Sequence, residues 1–168
     1  MKKYILLSAL SVISLGAVIS CSDDSNNIVE DRDTYSTVYD ITGNFVKGTD
    51  GIYAISRNFN NAIPNTDVIL VYRLKEMSGG QPVWQQIPRT LYLDQGELDY
   101  DFDFTKSDIK LMAGGNYDIS TTPAYLNNQT FRVVFVPAAA GKNANVDYSD
   151  YNSVVRFYNI NDRNIKKL

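Results

Sequence analysis

The sequence predicts an all-β protein, an antiparallel, immunoglobulin-like β-sandwich, with a small closed β-barrel as the alternative. Three observations point there. Apolar or alternating runs are short and separated by turn residues. No helical period of any length crosses the region behind residue 37. Twelve Tyr and seven Phe against one Trp weight the composition towards side chains that suit a pleated, half-buried surface. At 168 residues, 44% of them hydrophobic and 21% charged, the chain is long enough for one domain with a real core.

The elements follow in order. "TVYDITGNFV" (37–46) and "GIYAISRNF" (51–59) flank "KGTD" and read as a hairpin, with Gly48 and Gly51 supplying permissive backbone. "DVILVYRL" (67–74) is almost continuously apolar, which predicts a central strand covered on both sides. "EMSGG" makes the next turn. "PVWQQIP" (82–88) and "TLYLD" (90–94) come next, with Pro82 and Pro88 near strand ends, where a missing amide donor does least damage. "DQGE" turns the chain into "LDYDFDF" (98–104). "TFRVVFVP" (130–137) and "SVVRFYNI" (153–160) read as the last strands. Residues 105–113 and 145–152 leave room for one short helical turn each, and 137–150 is the longest expected loop. The sandwich is expected over 37–162, with 163–168 as a C-terminal tail.

The segment ahead of it has a different grammar. Met1-Lys2-Lys3 is basic, and residues 4–19 carry no charge. That apolar stretch is shorter than the ~20 residues of a permanent membrane helix and has the layout of a secretory signal. It ends at Val18-Ile19-Ser20-Cys21, which resembles the lipobox of bacterial lipoproteins. The resemblance implies removal of residues 1–20 and acylation of Cys21, the only cysteine. Acyl chains then do the anchoring, two or more being needed for stable attachment. Ser22-Asp23-Asp24 resembles the acidic export signal that sends some Bacteroidota lipoproteins to the outer face of the outer membrane. The stretch behind the cysteine, to residue 36, is polar and charged, as expected of a flexible tether. Removing Lys2 and Lys3 leaves 14 basic against 19 acidic side chains, a balance that argues against nucleic acid or a basic lipid-binding patch.

Chemistry-bearing candidates are few. Asp99, Asp101 and Asp103 would share one face of a strand, ~7 Å apart, with Leu98, Tyr100, Phe102 and Phe104 on the other. The D-x-D-x-D spacing opens a calcium loop, but Phe104 stands where its turn needs Gly and Lys110 where a bidentate Glu belongs. A strand with a wet face is the expectation, and no metal site. Arg73, Arg132 and Arg156, each interrupting an apolar run, could pair with those aspartates across strands. The chain has no histidine, which excludes Ser-His-Asp and Cys-His catalysis and His-based zinc sites. Of three Glu, Glu30 falls in the tether, and Glu76 and Glu97 fall in turns. No catalytic residue is assigned, the protein is expected not to be an enzyme, and without a phosphate or dinucleotide fingerprint no cofactor is expected. Trp84 with Gln86 could offer a sugar-stacking platform, although a lone Trp in a small β domain more often packs.

The order and spacing of "DVILVYRL", "VWQQIP", "LDYDFDFTKSD" and "NQTFRVVFVPA" resemble a group of functionally uncharacterised Bacteroidota surface lipoproteins with a single all-β domain. Some members carry a Gly-X-Y stalk, which is absent here. The resemblance implies a location and a fold and brings no active-site residues. The expectation is a lipid-anchored outer-membrane protein facing the exterior, a non-enzymatic interaction or structural module whose membrane contact is the lipid on Cys21. The alternative is glycan binding for a nutrient-uptake system.

Overall fold

A computed structural model of the chain describes residues 36–137 and 146–168. The expected signal segment 1–20, Cys21, Ser22, Asp23, Asp24, most of the expected tether and the middle of the expected 137–150 loop lie outside the described residues.

Ten strands form two five-stranded sheets. They are β1 (Thr37–Gly43), β2 (Val46–Lys47), β3 (Tyr53–Asn58), β4 (Val68–Ser78) and β5 (Gln81–Ile87), then β6 (Arg89–Leu93), β7 (Gly96–Phe104), β8 (Asp108–Gly115), β9 (Gln129–Val136) and β10 (Lys166–Lys167). The first sheet runs β10-β1-β9-β4-β5 and the second β2-β3-β8-β7-β6. All described pairings are antiparallel except β1 with β10. The sheets stay separate, so the molecule is a sandwich and the barrel alternative is excluded.

Strand alternation builds the core. Ile41, Val71, Phe131 and Val133 from the first sheet meet Leu98, Tyr100, Ile109 and Leu111 from the second, all essentially without solvent exposure. The continuous apolar run in β4 behaves as its pattern predicts. Val71 faces the core, while Tyr72 is equally buried on the outer side. A strand wet on one face cannot show that pattern. β5 lies at the sheet edge, where Pro82 is tolerated.

The cover over β4 and β9 is helix α1 (Tyr151–Phe157). This corrects the strand expected at 153–160. Tyr151 and Val154, three residues apart, both turn to the sheet and are buried. Asp150 caps the helix by accepting from the Asn152 amide at 3.0 Å. The two valines carry a strand-like composition, but a β4–β9 pair already hydrogen-bonded on both sides needs a lid, and an i, i+3 face supplies one.

Four smaller expectations also change. The run 37–46 does not form one arm of a hairpin, because the chain leaves β1 at Gly43 and enters the opposite sheet as β2, with the Phe45 amide bonded to the Leu126 carbonyl. Only Val46 and Lys47 pair with β3. The turn after β4 is confined to Gly79 and Gly80, both at positive φ, with Glu76 to Ser78 still in the ladder. Residues 105–113 hold most of strand β8, whose Ile109, Leu111 and Ala113 alternate into the core. At the C-terminus, Lys166 and Lys167 of the expected tail add to β1 opposite Tyr39 and Asp40.

Candidate functional site

Helix α1 makes the two outer faces of the sandwich unequal. On the β4–β9 side it leaves Tyr72, Val134 and Val154 with no exposure. The outer face of the second sheet carries Asp99, Asp101 and Asp103, all exposed, beside Lys110, Met112 and Gly114 of β8. This is the wet face expected of "LDYDFDF". The register of β7 with β8 is unbroken, which spaces the three carboxylates along the strand at alternate positions. Among the described residues no three metal-ligating side chains converge.

The arginines do not serve this face, which corrects the proposed cross-strand pairing. Arg73 and Arg132 belong to β4 and β9 in the other sheet, and Arg156 sits in α1. Asp99 instead accepts from Thr90 Oγ1 at 2.6 Å, and Asp101 from the Phe102 amide at 2.8 Å. Asp103 lies opposite Lys110, whose Nζ is 3.6 Å from Asp50. Asp50 is held below the usual carboxylate range, first by the Ile52 amide and then by Lys110. Asp118 is held low by the Ser120 hydroxyl and amide, with Lys47 adding a weaker pull.

A groove of about 610 Å³ opens at one end of this sheet. Asp99, Asp101, Met112 and Gly114 line it together with Tyr53 and Tyr117. A second depression of about 290 Å³, lined by Asn58, Asp103 and Lys110 among others, lies towards the far end of the same strands. Asp99 stands directly opposite Gly114 and Asp101 opposite Met112.

The two glycines ending β8 differ in what they do. A Cβ on Gly115 would come within 2.6 Å of the Glu97 carbonyl oxygen and 2.7 Å of Ile119 Cγ2, so close packing requires glycine there. A Cβ on Gly114 would meet nothing within 4 Å among the described residues, and its φ is not in the left-handed region. Glycine inside a strand costs roughly 0.5–1 kcal/mol relative to alanine. At Gly114 no steric demand of the fold offsets that cost.

Trp84 and Gln86 share the outer face of β5, as their spacing predicts, but on the helix-covered side. The Arg132 guanidinium lies 4.2 Å from the Trp84 ring centre, and the Tyr151 ring packs at 5.7 Å. Arg132 in turn forks onto Asp40 at 2.9 and 3.0 Å and donates to Tyr151 Oη at 3.1 Å. Burial pulls its pKa down, but Asp40 and Tyr151 together hold it above the usual value. Trp84 is thus engaged in packing, and its indole nitrogen is buried without a hydrogen-bond partner. Sequence reasoning did not single out the Gly114 groove, although the one available signal, a Gly-Gly pair closing an alternating run in "IKLMAGGNY", is visible there.

No protein-family model, no curated protein and no solved structure matches the chain.

Proposed function

We propose that this protein is a lipid-anchored, non-enzymatic binding module of the bacterial outer membrane, tethered through acylated Cys21 and presenting the outer face of the β2-β3-β8-β7-β6 sheet. Ser22, Asp23 and Asp24 act as the export signal, and the following residues to 36 act as the spacer. The observation that carries the reading is the inequality of the two faces: α1 seals one, and the other holds the groove over Gly114. The carboxylates whose pKa values depart from the ordinary, Asp50, Asp118 and Asp147, all move down. They favour acceptors that stay ionised over a general acid at neutral pH.

The test is metabolic labelling with radioactive palmitate, combined with protease shaving of intact and outer-membrane-permeabilised cells. The reading expects label on the wild type, none on Cys21→Ala, and loss of the domain from intact cells. Protection until permeabilisation would turn the module to the periplasm. Absence of label on the wild type would remove the anchor.

A further inference from the structure

The groove at Gly114 also interrupts the sheet. β3 pairs with β8 from Asn58 opposite Asp108 only as far as Tyr53 opposite Ala113. β7 follows β8 two residues further, to Leu98 opposite Gly115. Among the described residues Gly114 and Gly115 therefore have a strand on their β7 side and none on their β3 side, where the chain has turned away through Gly51, at positive φ, and Ile52. A bare strand edge is a template for another extended chain.

Three independent features coincide at this notch. With Asn116 bonded to the Glu97 carbonyl, the alternation of the ladder turns Gly114 to β7 and leaves the Gly115 N–H and C=O on the open side. Gly114 keeps open a volume that a side chain could occupy without a clash, the arrangement expected where another backbone approaches closely. The charge is one-sided: among the described residues Asp99, Asp101 and Asp118 line the groove against Lys47 alone.

We infer that the notch takes a short extended polypeptide segment bearing a basic side chain. The segment's main chain pairs with the open edge at Gly115 and passes beside Gly114, and its Lys or Arg lies between the Asp99 and Asp101 carboxylates. Each of these carboxylates has one oxygen committed to Thr90 or to the Phe102 amide and keeps a second. The Tyr117 ring, also in the lining, suits the same cation, while the Tyr53 ring already lies under Lys47 Nζ at 5.6 Å. The charge excludes the protein's own tether, "SDDSNNIVEDRD", as occupant, since it is acidic. This inference rests on the reading of the open sheet as a binding face and names what binds there.

The experiment measures fluorescence anisotropy of labelled peptides against the purified protein as cells make it. The probes are an alternating valine–lysine peptide, its valine–glutamate counterpart and a labelled neutral oligosaccharide. The lysine peptide is expected to bind and the glutamate peptide not to. Binding should weaken about tenfold or more in Asp99→Asn/Asp101→Asn and in 0.5 M salt, as for a charge-steered contact. Gly114→Val, which fills the groove with a strand-compatible side chain, should abolish it. Melting temperatures that do not fall in either variant would assign the losses to the site. Equal binding of the two peptides, or binding indifferent to Gly114→Val, overturns the inference. Gly114-dependent binding of the oligosaccharide alone overturns the partner class and leaves the binding face standing. No binding of any probe sinks both.

Discussion

Arg73 Nε and Nη2 converge on a single acceptor, Gln129 Oε1, at 3.1 and 3.0 Å. Both residues are buried between the sheets, 6% and 7% exposed. The guanidinium also lies 4.8 Å from the Tyr100 ring centre. Gln129 Nε2 donates in turn to the Ala124 and Asn127 carbonyls. One amide side chain therefore links a buried cation to the loop that leads into β9. Among the described residues no carboxylate stands within ion-pair distance of Arg73.

That arrangement makes Gln129 the more sensitive partner. Gln129→Leu should cost about 2–4 kcal/mol, because it strands a buried guanidinium and two carbonyls at once. Arg73→Met removes the charge along with its need for a partner and should cost less. The double variant should recover roughly 1 kcal/mol or more over the sum of the singles. Urea denaturation of the three proteins decides this, and strict additivity would mean that the two side chains are not coupled.

The Arg132–Asp40 fork supplies a second prediction. It is largely shielded, with the side chains 11% and 21% exposed, and it lies against the only tryptophan in the chain. Lysine cannot reproduce two parallel hydrogen bonds and a flat stack over an indole. Arg132→Lys should therefore lose roughly 1–3 kcal/mol and shift Trp84 emission to the red as α1 loosens. Unchanged emission would mean that the helix holds its place without the arginine.

The β8 glycines should respond oppositely to the same change. Gly114→Ala places a methyl group in open space on ordinary strand backbone and should stabilise by about 0.4–1 kcal/mol, chiefly by restricting the unfolded chain. Gly115→Ala drives a Cβ into the Glu97 carbonyl and Ile119 and should destabilise by roughly 1–3 kcal/mol. Thermal melts of the pair test this, and parallel shifts would mean that the two positions share one environment.

Much of the architecture was legible because burial writes directly onto sequence. The unbroken apolar run of β4 announced two covered faces, and the alternation of "LDYDFDF" announced one wet face. What could not be read was partnership. Val154 and Val155 look like strand residues until the apolar outer side of β4 and β9 is known to need a cover, and that need exists only in three dimensions. The same holds for the arginines. Each interrupted an apolar run, yet nothing local said that Arg132 would meet Asp40 from β1 or that Arg73 would settle on an amide. The Gly114 groove was hidden for a further reason. A glycine retained for space leaves the same letter as one retained for a turn, and only the missing contacts around its Cβ tell the two apart.

The tyrosines set an alkaline limit on the fold. Burial raises the pKa of Tyr72, Tyr100, Tyr151 and Tyr158, with Tyr100 and Tyr151 pushed up to about 12. For Tyr151 the raising effect of burial is opposed by Arg132, and for Tyr100 by Arg73. In the unfolded chain these phenols ionise near pH ~10. Between that value and the folded pKa, the native state binds more protons than the unfolded state, so stability must fall as pH rises. For Tyr100 and Tyr151 this contribution is fully present below pH ~10 and is lost as pH rises to about 12. Absorbance at about 295 nm, which reads phenolate, should still be rising well above pH ~10, and that late rise should coincide with loss of near-ultraviolet circular dichroism, since Tyr72 is hydrogen-bonded to the Tyr148 carbonyl and Tyr100 to that of Tyr125. A single absorbance stage near pH ~10 with the dichroism intact would show that these rings are not held as the packing of Tyr72 and Tyr100 requires.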